Sequence, residues 1–240
     1  MKNSSSLFIP FLLLILLSSC DYEHVRAQDE VTSRNLSLSG YNGLKVSNAF
    51  DVFVTFTDSE ESIIIEANDN LHDRIIVARE GDDLIIKLKK FTSIKGRATL
   101  KAYIKTKNIE DFDLRGASTV ILENLWETDR GEIELAGSSE FRGEVAIDHL
   151  EVDMSGASKA EIYGASQSIY ADLSGASDIR DYDLVTRKLN IELSGASEAF
   201  LSATETIDIE ASGASILNYK GDAEVHHKEL RGSSQIKNRN

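Results

Sequence analysis

The sequence predicts an all-β protein: a β-helix, or solenoid, with about seven C-terminal coils, preceded by an N-terminal β region. Three observations predict this fold class. Apolar residues alternate with polar ones at period two in the first half, a glycine-centred unit recurs about every 19 residues in the second half, and no segment has a sustained helical period. Alternation at period two indicates strands with one buried face, and a fixed repeat indicates stacked coils.

The glycine-centred unit, typified by Leu-Ser-Gly-Ala-Ser, occurs seven times between residues 110 and 237. Leucine-rich repeats need several leucines and an asparagine per repeat, and calcium-binding nonapeptide arrays need Gly-Gly-x-Gly-x-Asp, so neither pattern fits. About 19 residues per coil suit a compact β-helix with coils ~4.8 Å apart. The glycines are Gly116, Gly137, Gly156, Gly175, Gly195, Gly213 and Gly232, at spacings of 21, 19, 19, 20, 18 and 19 residues.

Two positions of each unit, the glycine and the serine two residues after it, carry a structural prediction. The glycine is expected to supply a positive φ angle or a close approach of two backbones where the chain turns. The serine two residues later is expected to form a ladder of hydroxyls that bond to each other and to the turn backbone. A nucleophilic role would need a neighbouring base and an orienting group, which the repeats lack. These serines are Ser118, Ser139, Ser158, Ser177, Ser197, Ser215 and Ser234.

An acidic residue stands three places before every repeat glycine. Strand alternation puts it on the outer surface, so the seven carboxylates are expected to form one column. Like charges ~5 Å apart repel by roughly 0.8 kcal/mol even at the dielectric of water. Nearby cations (Arg115, Lys159, Arg180, Lys188 and Arg231), partial protonation or a weakly bound Ca²⁺ are the candidates that offset it. The column is Asp113, Glu134, Asp153, Asp172, Glu192, Glu210 and Glu229.

The N-terminal β region, residues 33–109, alternates in the same way but lacks the glycine unit. It is expected either to begin the solenoid or to form a separate sheet that caps its end, where unpaired backbone groups would otherwise be exposed. The segment from Asn70 to Arg79 is the one place that could hold a turn of helix. Together, residues 36–237 are expected to form one continuous domain.

The first 19 residues are typical of a bacterial lipoprotein signal peptide. Lys2 precedes an apolar run from Leu7 to Leu17, and Leu-Ser-Ser-Cys resembles a lipobox ending at Cys20. The alternative is an ordinary signal cleavage site near Cys20. The lipobox predicts that Cys20 is lipidated, that residues 20–32 form a flexible tether, and that the protein is anchored to the outer membrane, on its periplasmic or outer side.

Composition limits which partners and cofactors the protein could bind. The formal net charge is −14, and removing Lys2 with the signal peptide makes it −15, which argues against nucleic acid as a partner. Cys20 is the only cysteine, so a mature chain has no disulfide and no free thiol once Cys20 is lipidated. Adjacent His226 and His227 would point to opposite faces of a strand and could not share a metal without a bulge. We predict no confident metal site and no other cofactor.

Aromatic residues offer a further alternative. Trp126 and the tyrosines could form a platform on which sugar rings stack, although such residues more often fill a β core. The tyrosines concerned are Tyr163, Tyr170, Tyr182 and Tyr219.

Four motifs carry a resemblance to a known family. They are the segments 43–54 (GLKVSNAFDVFV), 63–68 (IIIEAN) and 81–88 (GDDLIIKL), and the Leu-Ser-Gly-Ala-Ser repeats. Over residues 36–237 the chain resembles the head GIN domain family of auto-transporter adhesins, found among exported proteins of Bacteroidetes. The resemblance implies a β-helical fold and adhesion, and it supplies no catalytic residues.

The sequence therefore favours a non-enzymatic cell-envelope lipoprotein whose adhesin-like surface binds a protein or a polysaccharide. Two alternatives stay open: a polysaccharide lyase or hydrolase of the β-helix type, which would need carboxylates and a basic residue clustered outside the repeat pattern, and a purely structural envelope protein. The oligomeric state is not predicted.

Overall fold

The computed structural model describes residues 23–240, and strands make up most of that range. The N-terminal strands are β1 (Glu23–Arg26), β2 (Val31–Leu36), β3 (Gly43–Ser47), β4 (Asp51–Phe56), β5 (Ser62–Asn68), β6 (Ile75–Glu80), β7 (Asp83–Leu88), β8 (Thr92–Lys95) and β9 (Leu100–Thr106). The repeat strands are β10 (Asp111–Arg115), β11 (Thr119–Leu122), β12 (Trp126–Leu135), β13 (Glu140–Met154), β14 (Lys159–Leu173), β15 (Asp178–Arg180), β16 (Leu184–Leu193), β17 (Glu198–Ala211), β18 (Ile216–Lys220), β19 (Glu224–Leu230) and β20 (Gln235–Asn238). The predicted all-β class is confirmed.

The repeats form a parallel solenoid of about seven coils between residues 111 and 238, as the sequence predicts. Neighbouring coils stack in register: Asp153 lies opposite Asp172, and Asp172 lies opposite Glu192. A constant register places the same repeat position of every coil in one vertical row. Inward-facing side chains therefore stack on the inward-facing side chains of the neighbouring coils.

The interior is a stack of apolar rows. One row runs through Leu150, Ile169, Leu189 and Ile207, each at most 2% exposed, in four successive coils. Burying such side chains is the main favourable contribution to folding, about 25 cal/mol per Å² of apolar surface. The solenoid thus has one continuous core along its length.

Each repeat glycine after Gly116 lies directly against the glycine of the coil before it. Gly175 has a φ of +75°, and a Cβ atom there would lie 2.5 Å from the carbonyl oxygen of Gly156. That oxygen accepts a hydrogen bond of 2.7 Å from the backbone N–H of Ala176. Both reasons given by the sequence for a glycine, a positive φ and a close approach of backbones, therefore hold at this turn.

The N-terminal region both extends the solenoid and covers its end. Strands β3 and β4 pair in parallel with β10 and β11, and β7 and β9 pair in parallel with β3 and β4. Beyond them, β6 joins β7, β5 joins β9 and β2 joins β5, all antiparallel. The predicted helical turn is a 3-10 helix at Asp69–Arg74. Residues 33–109 therefore combine the two roles considered from the sequence: they begin the solenoid and they cover its end.

The prediction of a flexible tether over residues 20–32 is wrong where the structure describes it. Strand β1 pairs in parallel with β8, and β2 begins at Val31. The segment between the two strands is held by the 3-10 helix, since the backbone N–H of Gln28 donates to Asn70 Oδ1 at 3.1 Å. Their polar composition hid these strands because β1 forms a separate two-stranded sheet with β8, β2 joins the edge of the covering sheet, and neither contains a fully buried residue.

The signal peptide and Cys20 lie outside the described residues. Within residues 23–240 there is no helix of the length and hydrophobicity needed to span a bilayer.

Candidate functional site: an acidic face

The seven acidic repeat residues form one column along the solenoid. Consecutive members lie directly opposite one another, from Asp113 and Glu134 at one end to Glu210 and Glu229 at the other. All are partly or fully exposed, and in the first six units the strand residues on either side of the acid, such as Val152 and Met154, are buried. The alternation of polar and apolar residues that predicts the column from the sequence therefore matches the alternation of exposed and buried side chains in the structure.

A second column lies beside the first, two residues earlier in each strand. It begins with three further carboxylates, and we call the two columns together the acidic face. The second column was missed from the sequence, although the signal exists: an acidic residue stands five places before the glycine in the first three repeats. Its members are Asp111, Glu132, Glu151, Tyr170, Asn190, Asp208 and His227.

Few cations neutralise this face among the described residues. Arg115 donates to both carboxylate oxygens of Asp113, at 2.8 and 3.1 Å, and lies 3.6 Å from Glu134. Arg231 pairs with Glu229 at the far end. Of the other cations considered from the sequence, Arg180 pairs with Asp178, off the acidic face.

Repulsion and partial burial raise the pKa values of several carboxyls on the face. The pKa of Glu132 is raised to about 7, first by desolvation and then by the charges of Asp111, Glu134 and Glu151. Partial burial is also the largest cause of a raised pKa at Asp153. The same holds for Asp111 and Asp172. Partial protonation of Glu132 is therefore one way in which the acidic face relieves its repulsion.

Tyrosine also takes part in the face. The hydroxyl of Tyr170 donates to Glu192 Oε1 at 3.1 Å, and this bond is the main cause of a Tyr170 pKa raised to about 12. A neutral donor here stabilises a carboxylate without adding a positive charge.

Three surface depressions lie along the acidic face. One is lined by Asp172, Glu192, Glu210, Glu229 and Arg231, and another by Asp113, Arg115, Glu134 and Asp153. The third has a mixed lining that departs from the repeat, comprising Glu110, Asp111, Arg130, Glu132, His149, Glu151, Ser168 and Tyr170.

The repeat serines bond to the turn backbone in every coil. Ser177, for example, is fully buried and donates to the carbonyl oxygen of Ser174 at 2.9 Å. Some also reach an earlier coil, as Ser234 does to the carbonyl of Ala211 at 3.0 Å. The ladder thus runs through backbone carbonyls, and the described residues show no bond between two of the repeat serines. The equivalent bonds are those of Ser118, Ser139, Ser158, Ser197, Ser215 and Ser234.

Two members of the aromatic platform considered from the sequence, Trp126 and Tyr219, are buried and cannot stack on a sugar, whereas Tyr163 is exposed. Trp126 is fully buried, packs edge-on against Phe112 at 4.9 Å between ring centroids, and donates from Nε1 to the carbonyl of Ile109 at 2.7 Å. Tyr219 is only 8% exposed. The tryptophan fills the core because its repeat position faces inward.

The fold and this surface define a class of protein: a parallel β-solenoid with an extended, row-patterned outer face. The profile of the family described as "Putative auto-transporter adhesin, head GIN domain" matches residues 40–223. The chain belongs to that family, as its motifs predict. Family membership suggests an exported or cell-surface protein. A search of proteins with curated functions finds no match.

Solved structures share the fold. A "putative adhesin" of Bacteroides fragilis NCTC 9343 has a TM-score of 0.82 at 21% identity, covering 89% of this chain and 99% of that one. A "putative adhesin" of Parabacteroides merdae ATCC 43184 has a TM-score of 0.71 at 16% identity, covering 90% and 99%. A "putative lipid binding protein" of Parabacteroides distasonis ATCC 8503 has a TM-score of 0.72 at 20% identity, covering 91% and 100%.

Proposed function

We propose that this protein is a non-enzymatic cell-envelope lipoprotein that binds an extended protein or polysaccharide partner along its acidic face. The observation that carries the proposal is the register of the first column, which repeats an outward carboxylate from coil to coil. With coils ~4.8 Å apart, seven coils offer a row roughly 30 Å long. Such a row suits a partner that is itself extended, because each coil adds a similar contact.

The charge of the face selects the chemistry of the partner. Carboxylates such as Asp153 and Asp172 have no ion pair with a cation among the described residues, so a basic segment of a protein would gain contacts without breaking existing ones. A polysaccharide would be held by hydroxyl groups donating to the carboxylates. An acidic polysaccharide would need a weakly bound Ca²⁺ between its own carboxylates and those of the column.

Binding and turnover should be measured together. The mature chain is applied to a panel of bacterial and host glycans and envelope proteins, with and without Ca²⁺, and every ligand that binds is assayed for cleavage. The proposal expects binding without cleavage, weakened at least tenfold in the variant Asp153→Lys. Glu127→Lys, which reverses a charge away from the acidic face, should bind as the wild type does. Equal binding by both variants would place the contact elsewhere.

The lipid anchor is tested at Cys20. Expressed in a bacterial host with labelled palmitate, the wild-type chain is expected to carry the label and to partition into detergent, and Cys20→Ser should lose both properties. Protease treatment of intact cells then separates an outward-facing protein from a periplasmic one. A wild-type chain that stays unlabelled would contradict the anchor.

One observation favours glycan cleavage as a second candidate function. The depression around Glu132 combines carboxylates with Arg130, His149 and Tyr170, which is the mixture of acids and bases that β-helical lyases and hydrolases need. His149 Nδ1 lies 2.7 Å from Ser168 Oγ. If any glycan of the panel is cleaved and Arg130→Ala abolishes cleavage while preserving binding, this candidate replaces the first.

A further inference from the structure

Near the C-terminal coils, three potential metal ligands converge on the outer surface. Glu210 in β17 lies directly opposite Glu229 in β19, and His227 projects from β19 two residues before Glu229. One ligand atom from each of the three side chains lies within 4.8 Å of the others. His227 Nε2 is 3.8 Å from Glu210 Oε1.

A register shift brings the histidine into this position. Ile207 lies opposite Val225, but the next residue, Asp208, lies opposite His227, so His226 is an extra residue in β19. Because of the extra residue, His227 lies opposite Asp208 in the second column and Glu229 lies opposite Glu210 in the first column. His226 contacts Glu224 instead, at 3.6 Å. The sequence predicts that the two histidines could share a metal only across a bulge. The bulge is present, and it brings only His227 towards Glu210 and Glu229.

The donor set distinguishes this cluster from the rest of the acidic face. Ca²⁺ and Mg²⁺ take oxygen ligands, whereas one imidazole with two carboxylates is a set that suits Zn²⁺ and similar first-row ions. Zn²⁺ with three protein ligands completes a tetrahedron with water. The donor atoms are already close enough that small rotations of exposed side chains would bring each to about 2.0–2.2 Å from one ion.

We propose that Glu210, His227 and Glu229 bind a divalent transition metal of the zinc class, and that the ion clamps β17 to β19. The three residues lie at the C-terminal end of the acidic face, but the metal site does not depend on the partner proposed for that face. The neighbouring Arg231, which pairs with Glu229, leaves the second oxygen of that carboxylate for the metal. Because Glu210 and His227 are exposed and Glu229 is only half-buried on the outer surface, each can be replaced without disturbing the core.

The two adjacent histidines provide a matched test. Zn²⁺ is titrated by calorimetry into the untagged mature chain and into His227→Ala and His226→Ala, and the melting temperature is recorded with and without the ion. We expect about one ion per chain in the wild type and in His226→Ala, with a raised melting temperature. His227→Ala should bind tenfold or more weakly and lose the thermal shift.

Three outcomes would overturn the proposal: no Zn²⁺ binding by the wild type, equal loss in both variants, or unchanged binding in His227→Ala. A parallel titration with Ca²⁺ distinguishes a general attraction of cations to the carboxylates. If Ca²⁺ binds the wild type as tightly as Zn²⁺ does and His227→Ala leaves both unchanged, the ions are held by the acidic columns alone.

Discussion

At the scale of single residues, the glycine of each repeat is fixed by two separate demands. Gly175 needs a left-handed backbone, with a φ of +75°, and it also needs room, because a Cβ would lie 2.5 Å from the carbonyl oxygen of Gly156. A left-handed backbone costs an L-residue about 1–2 kcal/mol, and overpacking adds about 1–3 kcal/mol. Gly175→Ala is therefore expected to lower the free energy of unfolding by about 2–5 kcal/mol, measured by urea denaturation.

Gly81 is the control that separates the two demands. Its φ is +66°, yet an added Cβ would meet no atom within 4 Å. Gly81→Ala is expected to lower the free energy of unfolding only by the backbone contribution, about 1–2 kcal/mol. Equal losses in the two variants would show that the stacked glycines have room for a side chain and that their spacing is not a packing constraint.

Individual repeat positions could be predicted because each recurs seven times in one sequence. The repeat does not reveal which group a side chain bonds to. Ser177, for example, bonds to the backbone of its own turn and not to another repeat serine. Single departures are equally hidden. The extra residue at His226 changes the register of one strand pair, and no periodic signal marks it.

At the scale of strands, the acidic face makes the free energy of unfolding depend on pH. Glu132 has a pKa raised to about 7, chiefly through desolvation and then through the carboxylates around it. The folded state therefore holds a proton that the unfolded chain releases near its ordinary pKa of 4.5. Stability from this group is complete below about pH 4.5, falls as the pH rises towards 7, and is lost above it.

Replacing Glu132 with glutamine tests that dependence, since glutamine resembles the protonated acid at every pH. Glu132→Gln is expected to stabilise the protein by about 1 kcal/mol at pH 8, after allowance for solvent screening at a partly exposed site, and to have little effect at pH 4. Urea denaturation at both values measures it. The matched control is Glu127→Gln, which removes an exposed acid of the same strand away from the acidic face. Destabilisation by Glu132→Gln at pH 8 would contradict the repulsion.

Strands of the repeat region were predictable, whereas those that cover the N-terminal end were only partly so. Strands β3, β4, β7 and β9 alternate clearly because one face of each is in the core. Strand β1 has no buried residue and pairs only with β8, so its sequence, Glu-His-Val-Arg, carries no burial pattern to read. The candidate site divides in the same way: its first column is acidic in all seven repeats, whereas the second is acidic in only the first three and its signal in the sequence is weaker.

At the scale of the whole molecule, parallel stacking in register predicts that coils are interchangeable units. Deleting residues 159–177 would join Ser158 to Asp178 and stack the coil before the deletion directly on the coil after it. Core rows then stay apolar, because Val152 and Ile191, which each contact Ala171 today, would become neighbours. We expect a folded protein, shorter by one coil of ~4.8 Å and with a lower melting temperature, since one stacked interface is lost.

Deleting only residues 159–168 is the counterpart that should fail. It removes about half a coil, so the strand segment that begins at Ile169 would follow the glycine turn at Ser158 and meet the wrong segment of the coil below it. Buried positions such as Ile169 and Ala171 would then lose their rows. Circular dichroism should show a cooperative β transition for the full-coil deletion and none for the half-coil deletion. If both fold equally well, or both fail, stacking in register is not what holds the solenoid together, because only the register distinguishes the two deletions.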